Sequence, residues 1–232
     1  MGRLPDAKSR RRSPKADTVR LARLCEWVLN RAIEMTTKLI HQIWVGPRPL
    51  PEKSVRFVEE IRKLHPDYEY RLWADADLLP ENFSNLQYIL ATPIQAQKAD
   101  IMRYEILYRF GGVYLDIDFE VFKPLDPLLT HDLVVCNEDP HIDKYMTNAF
   151  IYAAPGNPNL KRCVERIQTC RLGEANVSHT TGPYYFRQCI TLNDARVLAT
   201  HVMYPTHYTQ RGYRPASFSP ETYAMHHWDK SW

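Results

Sequence analysis

Residues 96–110 have helical spacing and run without a linker into Gly111-Gly112 and the apolar stretch Val113-Tyr114-Leu115. Adjacent glycines end a helix by adopting backbone angles that other residues avoid. A strand that starts at once must then lie beside the helix it has just left. At 100° per residue, Ala99, Met102, Ile106 and Phe110 fall within an arc of about 80°, with Lys98, Glu105 and Arg109 opposite. The pattern predicts a helix with one apolar face packed on a buried strand.

The flanking sequence repeats that alternation. Strands are predicted at residues 38–45, 68–73, 133–136, 148–153 and 196–200, with extended chain at 119–122. Helices are predicted at 52–65 and 158–172, and after the loop Thr180-Thr181-Gly182-Pro183. Strand and helix in alternation imply an α/β sandwich, a mainly parallel central sheet flanked by helices on both faces. The chain has 232 residues, enough for one such domain.

Charge divides the chain. Up to Glu34 there are nine Lys or Arg against four acids, a charge of +5, while the whole chain carries +3, so residues 35–232 carry −2. The expected division is a basic leader at 1–34, disordered or partly helical, and a catalytic domain at 35–232. Nucleic acid is not expected as a partner of an acidic body. Arg10-Arg11-Arg12 offers peripheral contact with anionic lipid. Cys25, Cys136, Cys163, Cys170 and Cys189 are scattered, with no Cys-x-x-Cys pair, which suits buried thiols in a reducing compartment. No run reaches the eighteen or so apolar residues that span a bilayer, and no signal peptide is evident, so a cytoplasmic location is expected.

The strand after Gly112 ends in Asp116-Ile117-Asp118. Alternate residues on a strand share a face, so the two carboxylates can converge on one divalent cation. Asp-x-Asp alone is a weak signal, because charged residues fill about a quarter of ordinary chains. Asp100 and Arg103 lie three apart at one border of the apolar arc, facing a crevice or forming an i,i+3 ion pair.

The strand Ile40-His41-Gln42-Ile43-Trp44-Val45-Gly46, the run Lys98-Ala99-Asp100 to Arg103 with Gly111 to Asp118, and the closing His226-His227-Trp228 with Ser231-Trp232 occur in that order. Together they resemble glycosyltransferase family 32, the Asp-x-Asp sugar-transferase group that includes the yeast initiating mannosyltransferase. That group is related to the catalytic domains of the large clostridial glucosylating toxins. The resemblance covers about residues 36–232. It implies a GT-A-type fold and a retaining, metal-dependent transfer of a hexose from a UDP- or GDP-linked sugar to an acceptor hydroxyl, on a glycan by expectation.

The resemblance also implies roles. Trp44 would stack on the nucleotide base. Asp116, Asp118 and His226 would hold Mn²⁺ or Mg²⁺, with Asp118 the direct ligand and His227 the alternative to His226. Trp228 would donate its indole N–H to the diphosphate, and Lys230 would add positive charge there. Asp100 and Arg103 would bind hydroxyls of the donor sugar, and Tyr114 the diphosphate or sugar. Asn148 would lie near the reacting carbon, and Thr181-Gly182-Pro183 near the donor. Glu138 and Asp139 follow a strand and can reach the acceptor side.

Two other classes compete. Haloacid-dehalogenase-type phosphatases place Asp-x-Asp after an apolar strand, but they continue with Gly and Thr or Val, where this chain has Phe119 and Glu120. A nucleic-acid-binding protein would act through the basic leader alone.

Overall fold

The glycine pair sets the geometry of the domain's centre. In the computed structural model, which describes residues 37–142 and 145–229, Gly111 ends a helix at φ 65° and Gly112 opens a strand at φ 92°. A Cβ on Gly111 would lie 2.5 Å from Pro155, and one on Gly112 would lie 2.6 Å from the Leu39 carbonyl oxygen. Two left-handed residues in van der Waals contact with neighbouring backbone reverse the chain within a single peptide unit.

Eight strands occur among the described residues: β1 (Leu39–Ile43), β2 (Glu69–Trp73), β3 (Gly112–Leu115), β4 (Phe119–Val121), β5 (Leu133–Asn137), β6 (Met146–Ala153), β7 (Arg196–Leu198) and β8 (Ala224–His226). The helices are α1 (Glu52–Leu64), α2 (Leu86–Ala91), α3 (Gln95–Phe110), α4 (Pro158–Arg166), α5 (Val177–Thr180), α6 (Pro183–Cys189) and α7 (Thr200–Met203). Six strands form one sheet in the order β2-β1-β3-β6-β5-β7. The β1–β2, β1–β3 and β5–β7 pairings are parallel, while β6 runs antiparallel to both its neighbours.

β3 lies in the sheet interior and is buried along its whole length. Its side chains alternate between two cores, as the pleat requires. Tyr114 joins Ile101, Met102, Ile106 and Leu107 of α3 on one face, whereas Val113 and Leu115 join Ile61 of α1, Phe119 and Phe150 on the other. Helices therefore cover both faces, and the sheet is mostly parallel, as the sequence predicts.

Two details go beyond the sequence pattern. Of the residues opposite the apolar arc of α3, Arg109 is exposed and Lys98 half-buried, but residues 99–107 are all buried, Glu105 among them. Glu105 accepts from the Ser84 N–H (2.6 Å), the Ser84 hydroxyl (2.8 Å) and the Asn85 N–H (2.8 Å), satisfying donors at the start of α2. The helix predicted at 158–172 ends at Arg166, and a 3₁₀ turn follows at Ile167–Thr169.

After Asp116 the chain leaves the main sheet. The Phe119 N–H donates to the Asp116 carbonyl (3.1 Å), closing a tight turn that contains Asp118. β4 then pairs antiparallel with β8, with Phe119 opposite His226. This small second ribbon carries the C-terminal His226 to the Asp-x-Asp turn. The basic leader expected at 1–34 lies outside the described residues.

Candidate active site

Three potential metal ligands converge where β3 ends and β8 meets β4. One ligand atom each from Asp116, Asp118 and His226 lie within 4.8 Å of one another. Each carboxylate is fixed through one oxygen and presents the other. Asp116 Oδ1 accepts from the Tyr114 hydroxyl at 2.7 Å and pairs with Arg103 Nη1 at 3.0 Å, leaving Oδ2 3.7 Å from His226 Nε2. Asp118 Oδ2 accepts from the Asp229 N–H at 2.8 Å, leaving Oδ1 2.9 Å from the same nitrogen.

His226 itself is buried, and neither ring nitrogen has a hydrogen-bond partner of acceptable alignment despite that 2.9 Å approach. Burial opposes charge on the imidazole, but Asp118 and then Asp116 outweigh it and raise His226 to about 10. Burial likewise opposes charge on Asp118, and His226 with the Asp229 N–H brings its carboxyl down to about 2. Two hard oxygens and an imidazole nitrogen aimed at a common point are a donor set that fits a divalent cation such as Mn²⁺ or Mg²⁺. His227 points elsewhere: its Nε2 meets Glu120 at 2.9 Å and its ring stacks on Phe57.

The backbone pays one visible cost for this arrangement. Trp228 sits at φ 58°, a conformation uncommon for a bulky residue. The bend it makes turns the next N–H, that of Asp229, onto Asp118.

Beside these three potential ligands lies a buried polar network built from α3, β6 and the loop before α6. Arg103 pairs with Asp100 (3.2 Å) and Asp116 (3.0 Å), donates to the Asn148 carbonyl (2.8 Å) and packs over the Tyr114 ring. Asp100 also accepts from Asn148 Nδ2 (2.7 Å) and the Thr181 hydroxyl (2.8 Å). Asn148 Nδ2 reaches the Tyr104 hydroxyl, which donates to the Thr181 carbonyl. Burial raises the Asp100 carboxyl to about 6, with Arg103, Thr181 and Asn148 pulling the other way. The i,i+3 ion pair is therefore real and extends to the Asp-x-Asp motif. A carboxylate has about four acceptor sites and a guanidinium five donors; with Arg103 Nε also donating to the Ala99 carbonyl (3.3 Å), these partners leave each with about one site to offer a ligand.

These residues open on a cleft of about 340 Å³ lined by Asp100, Arg103, Asp116, Asp118, Asn148 and His226 among others. Trp44 lines a neighbouring cleft of about 440 Å³, and Ala96 lines both. Three expectations change. Tyr114 is fully buried and does not reach the cleft; its hydroxyl holds Asp116. Trp228 lines the cleft, but its indole N–H donates to the Thr206 carbonyl (3.0 Å) and is not directed at a diphosphate. Asp100 has room for about one further donor and not two hydroxyls. Lys230 lies outside the described residues.

Thr181, whose loop had no assigned task in the sequence, proves to be a direct partner of Asp100. Tyr104 was absent from the sequence reading altogether. Its only signal is its place on α3, one residue after Arg103, where an aromatic reads as core.

Residues 51–135, which hold α3 and the Asp-x-Asp turn, match the family model of the glycosyltransferase sugar-binding region containing the DXD motif. Inositol phosphoceramide mannosyltransferase 3 of Schizosaccharomyces pombe is 33% identical over 156 residues, covering 64% of this chain and 43% of that protein. The initiation-specific alpha-1,6-mannosyltransferase of Candida albicans is 30% identical over 148 residues, 58% of this chain and 37% of that protein. An uncharacterized glycosyltransferase of Acanthamoeba polyphaga mimivirus is 26% identical and covers 74% of both chains. Among solved structures, PaToxG glycosyltransferase superimposes with a TM-score of 0.50 at 23% identity, over 66% of this chain and 68% of that chain. That likeness concerns the fold, a GT-A-like α/β sandwich. The chain spans less than half the length of the inositol phosphoceramide mannosyltransferases it matches, at 43%, 44% and 38%.

Proposed function

We propose that this chain, which carries the sugar-binding region of the DXD-motif glycosyltransferases at residues 51–135, transfers a hexose from a nucleotide sugar to an acceptor hydroxyl with retention of configuration. The observation that carries the proposal is the convergence of Asp116, Asp118 and His226 in a cleft that Asp100, Arg103 and Asn148 also line. Mannosyltransferase relatives favour GDP-mannose as the first donor to try. The inositol phosphoceramide named for one group of them favours a polyhydroxylated acceptor.

Asp116, Asp118 and His226 would hold the cation. When bound, it supplies Lewis-acid neutralisation of charge on the departing diphosphate. Arg103 ties this site to the sugar: one guanidinium touches both Asp116 and Asp100, so the metal-binding carboxylate and the sugar-binding carboxylate keep a fixed separation. The remaining sites on Asp100 and Arg103 receive donor hydroxyls and hold the ring over the diphosphate. Trp44, across Ala96 in the adjoining cleft, offers its ring face to the base. Its indole N–H is occupied by the Arg48 carbonyl (2.8 Å), which fixes the ring plane.

Among the described residues of the cleft, Asp100 is held by Asn148, Thr181 and Arg103, and Glu138, where the cleft meets a second cavity, is assigned to the acceptor side, so neither is taken as a covalent nucleophile. The step is therefore a front-face displacement in which the leaving diphosphate oxygen takes the acceptor's proton. A haloacid-dehalogenase phosphatase finds no support in the GT-A-like fold or in the family match. The test is release of free sugar and nucleoside diphosphate from GDP-mannose, UDP-glucose and UDP-galactose with Mn²⁺. Asp118→Ala should abolish it, and proton NMR of the first-formed product should show the donor's anomeric configuration. An inverted product would refute retention while leaving the metal site intact.

A further inference from the structure

A second and larger cavity, about 690 Å³, adjoins the donor cleft and has no task in the reading above. Among the described residues, Glu138 alone lines both spaces. It follows β5, its N–H donates to the Tyr145 carbonyl (2.7 Å), and its side chain has no hydrogen-bond or ion-pair partner among the described residues. It is only 6% exposed, and burial raises its carboxyl to about 7, with His226 drawing it back. A buried carboxylate without a partner is costly, and a hydroxylated ligand would offset that cost. Tyr204 also walls the larger cavity, with its ring 5.9 Å from that of His226 and 5.7 Å from that of Trp228. One carboxylate and one ring thus separate the cavity from the metal ligands. Its other lining mixes polar side chains, including Asp139, Thr200, His201 and Gln210, with apolar ones, Pro140, Ala199 and Pro205, a surface that suits the hydroxyl edge and the C–H faces of a saturated ring.

We propose that this cavity binds the acceptor as a polyhydroxylated ring, sugar or cyclitol, and that Glu138 accepts a hydrogen bond from a ring hydroxyl next to the one that becomes glycosylated, which keeps its own proton for the diphosphate oxygen. The inference rests on the donor site proposed above. In the transfer, the acceptor oxygen forms a bond to the anomeric carbon. The bond from that carbon to the diphosphate breaks, its electron pair stays on the diphosphate oxygen, and that oxygen takes the acceptor's proton. Glu138 orients the incoming oxygen through the neighbouring hydroxyl and is unchanged by the step.

The test uses Mn²⁺ as a paramagnetic reporter. The full chain is loaded with Mn²⁺ and GDP or UDP, and proton relaxation is measured for methyl α-mannoside and for myo-inositol. Relaxation should be enhanced for at least one ring in the wild type, for the mannoside if the acceptor is a sugar and for inositol if it is a cyclitol. Thr200→Trp, which fills the cavity, should abolish the enhancement. Glu138→Ala should weaken ring binding roughly tenfold or more, the loss of one charge-assisted hydrogen bond. Calorimetric binding of Mn²⁺ with the nucleotide separates the two readings. If it is absent in the wild type, the donor site and this inference fail together. If it is present and neither ring is relaxed, or the enhancement survives Thr200→Trp, the inference alone is overturned.

Discussion

Replacing Arg103 with Met removes a charge but keeps most of the side-chain volume. Arg103 is 3% exposed and meets Asp100, Asp116 and the Asn148 carbonyl within 3.2 Å. Its two carboxylate partners differ in what they lose. The Asp116 side chain is 20% exposed and can recover water, whereas that of Asp100 is 6% exposed and cannot. Breaking a buried ion pair from one side costs about 3–5 kcal/mol because the other charge is left without a partner. At roughly 2–4 °C per kcal/mol for a domain of this size, Tm should fall by about 6–20 °C. Adding Asp100→Asn neutralises the orphan, and Thr181 and Asn148 can still bond an amide, so the double variant should recover about 1–3 kcal/mol relative to additivity. Calorimetry on the four proteins of the cycle measures this. A loss below about 1 kcal/mol for Arg103→Met, the range of surface pairs, or strict additivity in the cycle would refute the reasoning.

Tyr114→Phe deletes the hydroxyl that fixes Asp116; Mn²⁺ affinity by titration calorimetry should drop roughly 10–100-fold, and an unchanged affinity would remove Tyr114 from the site. His226 is raised from 6.5 to about 10, so its contribution to metal-free stability is complete below pH 6.5 and lost as pH rises through about 10. At pH 7 the ring carries a proton that a metal ligand must shed. Mn²⁺ binding should therefore release about one proton, read from calorimetry in buffers of different ionisation enthalpy, and zero release would contradict a ring held protonated by Asp118 and Asp116. Gly112→Ala forces a Cβ to within 2.6 Å of the Leu39 carbonyl oxygen at φ 92°. It should destabilise the domain by at least about 1–3 kcal/mol, and a neutral result would contradict the close packing of β3 on β1.

The helix, glycine pair and strand of residues 95–115 were legible because each carries a local signal: 3.6-residue spacing, φ-permissive residues and an apolar run. What local signals missed was tertiary. Periodicity places Glu105 opposite the apolar arc but does not show that it is buried there against a neighbouring helix start, Ser84-Asn85. The antiparallel setting of β6 against β5 follows from the short connection between them, residues 138–145, too few for a parallel crossover, whereas its pairing with β3 joins segments that no local signal links. Asp116, Asp118 and His226 came together through a family resemblance, since the β4–β8 register that joins them spans more than a hundred residues. Tyr114 and Trp228 were recognised as neighbours of the site, but which group each would bond depends on where the fold places the Asp116 carboxylate and the Thr206 carbonyl, which composition does not encode.

The central claim is that Asp116, Asp118 and His226 form a cation site that anchors a nucleoside diphosphate. Titration calorimetry of GDP and UDP, with and without Mn²⁺, on the wild type and Asp118→Ala tests it most directly. The account predicts that at least one nucleotide binds the wild type only when Mn²⁺ is present, and binds Asp118→Ala in neither condition. Binding that is indifferent to Mn²⁺, or undiminished by Asp118→Ala, would contradict it.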